Sequence, residues 1–131
     1  MIFKILVGSD GFDFHTVCRP FDTQKYYDSH TSNCTWWAAA RYEDTHNGKD
    51  FKNAGHAYSS VNINTISADS IAVYGDANDG HFRFVEYVDG NTVYFSEANV
   101  NSTTDFRIQK TTLSDFEKTL WRQVTFKGYI K

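Results

Sequence analysis

Two cysteines and five histidines are the side chains of this 131-residue sequence best suited to nucleophilic and general acid–base chemistry. The cysteines sit in different contexts. Cys18 is followed by Arg19-Pro20, and the residue before a proline is held out of the helical region. Cys34 lies in the run Ser32-Asn33-Cys34-Thr35-Trp36-Trp37-Ala38-Ala39-Ala40-Arg41. Ser32 or Asn33 can cap a helix there, the alanines favour it and Asn47-Gly48 stops it, which predicts a helix over Cys34–His46. Cys34 then sits at a helix N-terminus, where free N–H groups and the macrodipole favour an anion and so enrich a nucleophilic thiolate. The competing role is the common one for a free cysteine, a small buried hydrophobe.

A thiolate nucleophile needs a base, and the base needs a group that orients it. Of His15, His30, His46, His56 and His81, only His81 begins an apolar strand candidate, directly after the loop Gly75–Gly80. The next strand candidate ends in Ser96-Glu97-Ala98-Asn99 and offers two orienting groups, Glu97 and Asn99. A histidine at a strand end is more often a structural hydrogen-bonding residue. What favours a site is the coincidence of Cys, His and Glu or Asn at the ends of elements.

The elements that must position these residues follow from periodicity and turn signals. Residues 1–30 read as an irregular or short-stranded lead-in with a strand at Ile2–Val7, and Gly48–Ser67 as a polar loop. Strands are expected at Ile71–Tyr74, His81–Val88, Asn91–Ala98, Phe106–Gln109 and Val124–Ile130, with a short helix over Thr112–Leu120. One helix followed by an antiparallel meander defines an α+β fold, with a single compact domain.

The Asp89-Gly90 turn decides which side chains meet. A two-residue loop pairs Val88 with Asn91 and puts His81 and Glu97 on opposite faces. A three-residue loop Val88-Asp89-Gly90, closed by a G1 bulge at Gly90, pairs Tyr87 with Asn91 and sets His81 opposite Glu97. The bulged register is therefore expected, with Arg83 on the same face as His81, and Phe82, Phe84 and Val88 facing the core. Arg83 has two readings: it pairs with a carboxylate of the protein, or it lines a groove and holds an acidic peptide. On the helix, Trp37 shares a face with Cys34, and at most one of Trp36 and Trp37 is expected to reach substrate.

Composition removes several classes. Aromatics make up 17% of the residues and there is one Pro, which excludes a disordered chain. The net charge is −3 and no basic run exceeds two residues, so no nucleic-acid partner is expected. No apolar stretch approaches the ~20 residues that span a bilayer, and the apolar run at the N-terminus is too short for a signal peptide. Neither the histidines and cysteines nor Asp76–Gly80 have the spacing of a zinc or calcium site, so no metal or cofactor is expected. Asn33-Cys34-Thr35 and Asn101-Ser102-Thr103 match the glycosylation pattern by chance on this reading.

Asn33-Cys34-Thr35-Trp36-Trp37-Ala38-Ala39-Ala40-Arg41, Ser70–Tyr74, Gly80-His81-Phe82-Arg83-Phe84-Val85-Glu86 and Ser96-Glu97-Ala98-Asn99, in that order, resemble the CHAP domain, the cysteine, histidine-dependent amidohydrolase/peptidase. The closing Gly128-Tyr129-Ile130 is similar to that domain's last strand, so the resemblance covers residues 25–131. It implies a papain-like fold related to the NlpC/P60 group, with the nucleophile-bearing helix packed on the β-meander. It also implies Cys34 as nucleophile, His81 as base, Glu97 as orienting group and Asn99 as a further polar residue of the site. Asn33, Trp37 and Arg83 are the candidate substrate-binding residues, Asn33 through the oxyanion.

The implied activity is peptidoglycan hydrolysis, as an N-acetylmuramoyl-L-alanine amidase or a stem or cross-bridge endopeptidase, at the bacterial wall. With no signal peptide seen, a phage-borne enzyme or part of a larger wall-remodelling assembly is expected. An amidase on a small peptide conjugate, a cysteine protease and an inert wall-binding module are the alternatives. Three features depart from the family pattern: Ile66–Ser70 lacks the usual Pro and Gly, Asp22 and Asp28 do not reproduce the calcium site of some phage members, and Arg83 stands where a small or apolar residue is usual.

Overall fold

The computed structural model describes residues 3–7, 13–20, 34–47, 60–76, 79–98, 106–118, 120 and 124–131. In chain order these form β1 (Phe3–Val7), β2 (Asp13–Pro20), α1 (Cys34–Thr45), β3 (Ile71–Gly75), β4 (Gly80–Asp89), β5 (Thr92–Ala98), β6 (Phe106–Thr112), the single turn α2 (Leu113–Phe116) and β7 (Phe126–Ile130). Strands β3 to β6 form an antiparallel meander, and β7 returns to pair with the free edge of β3, giving the order β6-β5-β4-β3-β7. β1 and β2 pair separately as a two-stranded antiparallel sheet. The fold is α+β. Residues 13–20, which the sequence left within the lead-in, form β2, and it ends at Pro20, where the missing N–H suits a strand terminus.

Helix α1 begins at the expected residue and stops one short. The Thr45 hydroxyl donates to the carbonyls of Arg41 and Tyr42, and Asn47 takes a left-handed φ of 57°, the conformation that ends helices. Ala38, Ala39 and Ala40 point about 100° apart yet are all buried, so α1 is enclosed on several sides rather than lying on a surface. The small side chains allow that enclosure. The short helix is reduced to α2, capped by Thr112, whose hydroxyl accepts from the Asp115 N–H.

The sheet carries an apolar cluster on each face. Ile71, Val73, Phe82, Phe84 and Ile130 pack with Ala38 and Tyr42 of α1. Ala72, Tyr74, Val85, Val93, Phe95 and Tyr129 pack with Phe116 of α2. Gly128 permits the last strand to sit where it does. Its φ is 131°, and a Cβ there would come 2.6 Å from Val61 and 3.2 Å from the Ile63 carbonyl. That carbonyl accepts from the Tyr129 N–H, tying residues 61–63 to β7.

The β4–β5 hairpin corrects the expected register. Asp89 pairs with Thr92, leaving Gly90-Asn91 as a two-residue loop, with Gly90 at φ 57° in its first position as a type II′ turn requires. The bulge lies at Glu86 instead, between the pairs Val85–Phe95 and Tyr87–Tyr94. It flips the alternation of β4, so Val88 joins the α2-side cluster rather than the face of Phe82 and Phe84. Beyond the bulge Phe84 pairs with Ser96, and continuing that register sets Arg83 across from Glu97, with His81 diagonal to it. His81, Arg83 and Glu97 still share one row, which is what a site requires.

Candidate functional site

Strand β4 serves two purposes through its alternation. Phe82, Phe84 and the bulged Glu86 face α1, whereas His81 and Arg83 project from the other row. Cys34 is the first residue of α1 and a free, buried thiol. Its thiol lies beside His81, close enough to be among the groups that raise the imidazole's pKa. The second contact of the imidazole is Nε2 to Glu97 Oε1 at 2.7 Å. With Nε2 committed to the carboxylate, Nδ1 is the ring nitrogen left for the thiol. The two protein groups thus meet opposite sides of one ring.

Glu97 is fully buried and holds three donors. Oε1 accepts from His81 and, at 3.0 Å, from Arg83 Nε; Oε2 accepts from Arg107 at 2.9 Å. Burial pushes the Glu97 carboxyl up, but the His81 hydrogen bond and the charges of Arg83, His81 and Arg107 outweigh it and hold the group at about 2. Burial lowers His81, yet the adjacent Cys34 thiol, the hydrogen bond to Glu97 and the charges of both leave it above its ordinary value. A thiol, an imidazole and an ionised carboxylate in series can move one proton from sulfur to nitrogen and keep the resulting imidazolium in place.

A pH dependence follows from Glu97. A carboxylate whose folded value lies below its unfolded one stabilises the fold above the unfolded value and loses that contribution as pH falls through the folded one. The fall from 4.5 to about 2 corresponds to about 3 kcal/mol, lost between those pH values. Urea unfolding across that range should show the decline in wild type and a flatter profile in Glu97→Gln.

A second polar chain, fully buried except at Asp44, joins the helix to the strands. Arg41 grips Glu86 bidentately, Nε to Oε2 at 2.7 Å and Nη2 to Oε1 at 2.6 Å, and its Nη1 reaches Asp44 at 2.9 Å. Ser96 donates to Glu86 Oε2 at 2.7 Å and Trp37 Nε1 donates to Ser96 at 2.9 Å. This chain fixes α1, which carries Cys34, against β4 and β5, which carry His81 and Glu97.

The structure therefore brings together Cys34, His81, Glu97 and Arg83. Trp37 is corrected: it is wholly inside the core and bonded to Ser96, so it has no surface to offer a substrate, while Trp36 is half-buried. Of the two readings of Arg83, the structure supports the pairing with a carboxylate of the protein rather than the substrate holder: its guanidinium turns to Glu97 and lies over the rings of Tyr74, Phe95 and Phe116 at 5.3, 4.7 and 5.7 Å. Asn33, Asn99, Asp22 and Asp28 lie outside the described residues. Arg41, Glu86 and Arg107 were not singled out from the sequence. An arginine on the Cys34 face of the helix and a glutamate at the core-facing position after Phe82 and Phe84 were the available signal for the first two.

Cysteine, histidine and carboxylate aligned at the start of a helix and on two neighbouring strands have the parts of a thiol-dependent hydrolase. Residues 24–99 match the family model of the CHAP domain, and the chain belongs to that family. Membership implies, in general, a peptidoglycan amidase/peptidase-type hydrolase. The match takes in Cys34, His81 and Glu97 and stops before β6, α2 and β7, so Arg107 lies beyond it. No curated protein and no solved structure matches the chain.

Proposed function

We propose that the protein cleaves an amide bond of bacterial peptidoglycan, with Cys34 as nucleophile, His81 as general base and acid, and Glu97 as the residue that orients the imidazole. The supporting observation is the single imidazole that has the Cys34 thiol beside it and is hydrogen-bonded through Nε2 to the buried Glu97. A nucleophile at the start of a central helix with its base on an adjacent antiparallel sheet also suits a papain-like reading of the fold.

In this mechanism Cys34 passes its proton to His81 and attacks the amide carbonyl carbon. The oxyanion of the tetrahedral intermediate is held by the Cys34 backbone N–H at the start of α1, with the Asn33 side chain as the second donor. The imidazolium then protonates the leaving nitrogen, the C–N bond breaks and an acyl thioester remains. Water, deprotonated by His81, attacks the thioester and releases the acid and the thiol. Glu97 keeps the ring in the tautomer with Nε2–H and stabilises the cation formed twice per turnover. Asn99 is a further polar residue of the site.

Incubating the protein with purified peptidoglycan and identifying released termini by mass spectrometry tests this reading. New L-alanine amino termini identify an amidase, and new termini within the stem or bridge identify an endopeptidase. No products across several wall types would contradict it.

A further inference from the structure

Arg83 is expected on the face of His81, and the structure gives it a partner of consequence. Its Nε bonds Oε1 of Glu97, the same oxygen that receives His81 Nε2. Its guanidinium lies over three aromatic rings and is only 12% exposed, so it cannot swing to solvent without vacating that cage. We propose that Arg83 is a positioning residue: by sharing Oε1 with His81 it fixes the carboxylate and offsets part of its charge, weakening the hold of Glu97 on the imidazolium proton. The inference rests on the proposed role of His81 in catalysis for its importance, though not for its test.

The physical argument is one of competing charges. A lone buried carboxylate beside an imidazolium would bind its proton strongly, which suits ground-state pairing and opposes delivery to a leaving amine. A fixed cation on the same oxygen reduces that attraction and repels the imidazolium directly. Among the described residues, the titratable and charged groups around this pair are Tyr74 from β3, Arg83 from β4, Arg107 from β6 and Cys34 from α1. Glu117, after α2, faces Tyr74. Arg107 bonds the other oxygen, Oε2, and is more exposed, so Arg83 is the cation placed to act on the shared oxygen.

The test is the titration of His81 itself, followed by the ring proton resonances in wild type, Arg83→Met, Arg83→Gln and Arg83→Lys. Met fills the aromatic cage without charge, Gln keeps a donor for Oε1 without charge, and Lys keeps the charge. Loss of the cation should move the His81 titration up by about half a pH unit to one unit in Met and Gln, with Lys returning it toward wild type. A merely structural role would lower stability in all three and leave the midpoint of His81 where it was. An unchanged or lowered midpoint in whichever uncharged variant folds overturns the inference, as does an equal rise in Lys. Because the readout needs no turnover, it succeeds or fails independently of whether peptidoglycan is cut.

Discussion

Cys34→Ala is expected to lower the rate of peptidoglycan hydrolysis by at least about a thousandfold, to the level of the uncatalysed background of the assay. Removing a nucleophile deletes the covalent route entirely, and no neighbouring group in the described site replaces sulfur. The substitution should leave the fold intact. Alanine is the best helix former, Cys34 is at the first position of α1, and its side chain contributes one sulfur's worth of packing. Parallel measurements of product release and thermal unfolding therefore separate chemistry from stability. A variant that unfolds like wild type and still hydrolyses at wild-type rate would remove Cys34 from the mechanism.

The second large effect is on stability. Glu86→Ala should destabilise the protein by about 3–5 kcal/mol, lowering the thermal midpoint by about 10 °C or more. Arg41 would be left as a buried cation without its bidentate carboxylate partner, and Ser96 would lose the Glu86 acceptor. The ion pair itself need not be strongly stabilising, because its desolvation opposes its attraction. Arg41→Met combined with Glu86→Met should accordingly cost less than Glu86→Ala alone, as measured by thermal unfolding of both. Equal or additive losses would show that the pair is not coupled as its bidentate geometry implies.

What could be read in advance divides along local and non-local lines. Helix α1 was legible to within a residue because its cap candidates, its alanines and its Asn-Gly stop are all local. The common face of His81, Arg83 and Glu97 was legible because both the expected and the observed register preserve the parity of those positions. The turn was displaced because Asp89-Gly90 and Gly90-Asn91 are both acceptable to a glycine, and the strands, not the dipeptide, choose between them. The bulge at Glu86 has a tertiary correlate in the Arg41 pairing, which no window of β4 contains. β2 was lost for a similar reason, since its pairing with β1 is a relation between segments. Arg107 needed the sheet order, which places it directly across from Glu97. Trp37 was assigned the right face of the helix and the wrong depth, because a helical wheel shows direction and not enclosure.

The central claim is that His81 activates Cys34, and the rate of alkylation of Cys34 by iodoacetamide at neutral pH tests it most directly. Peptide mass spectrometry distinguishes modification at Cys34 from modification at Cys18, and His81→Ala removes the base while leaving the thiol. The account predicts rapid modification of Cys34 in wild type and a rate lower by an order of magnitude or more in His81→Ala, since the thiolate is the reacting species. Equal rates in the two proteins would contradict it.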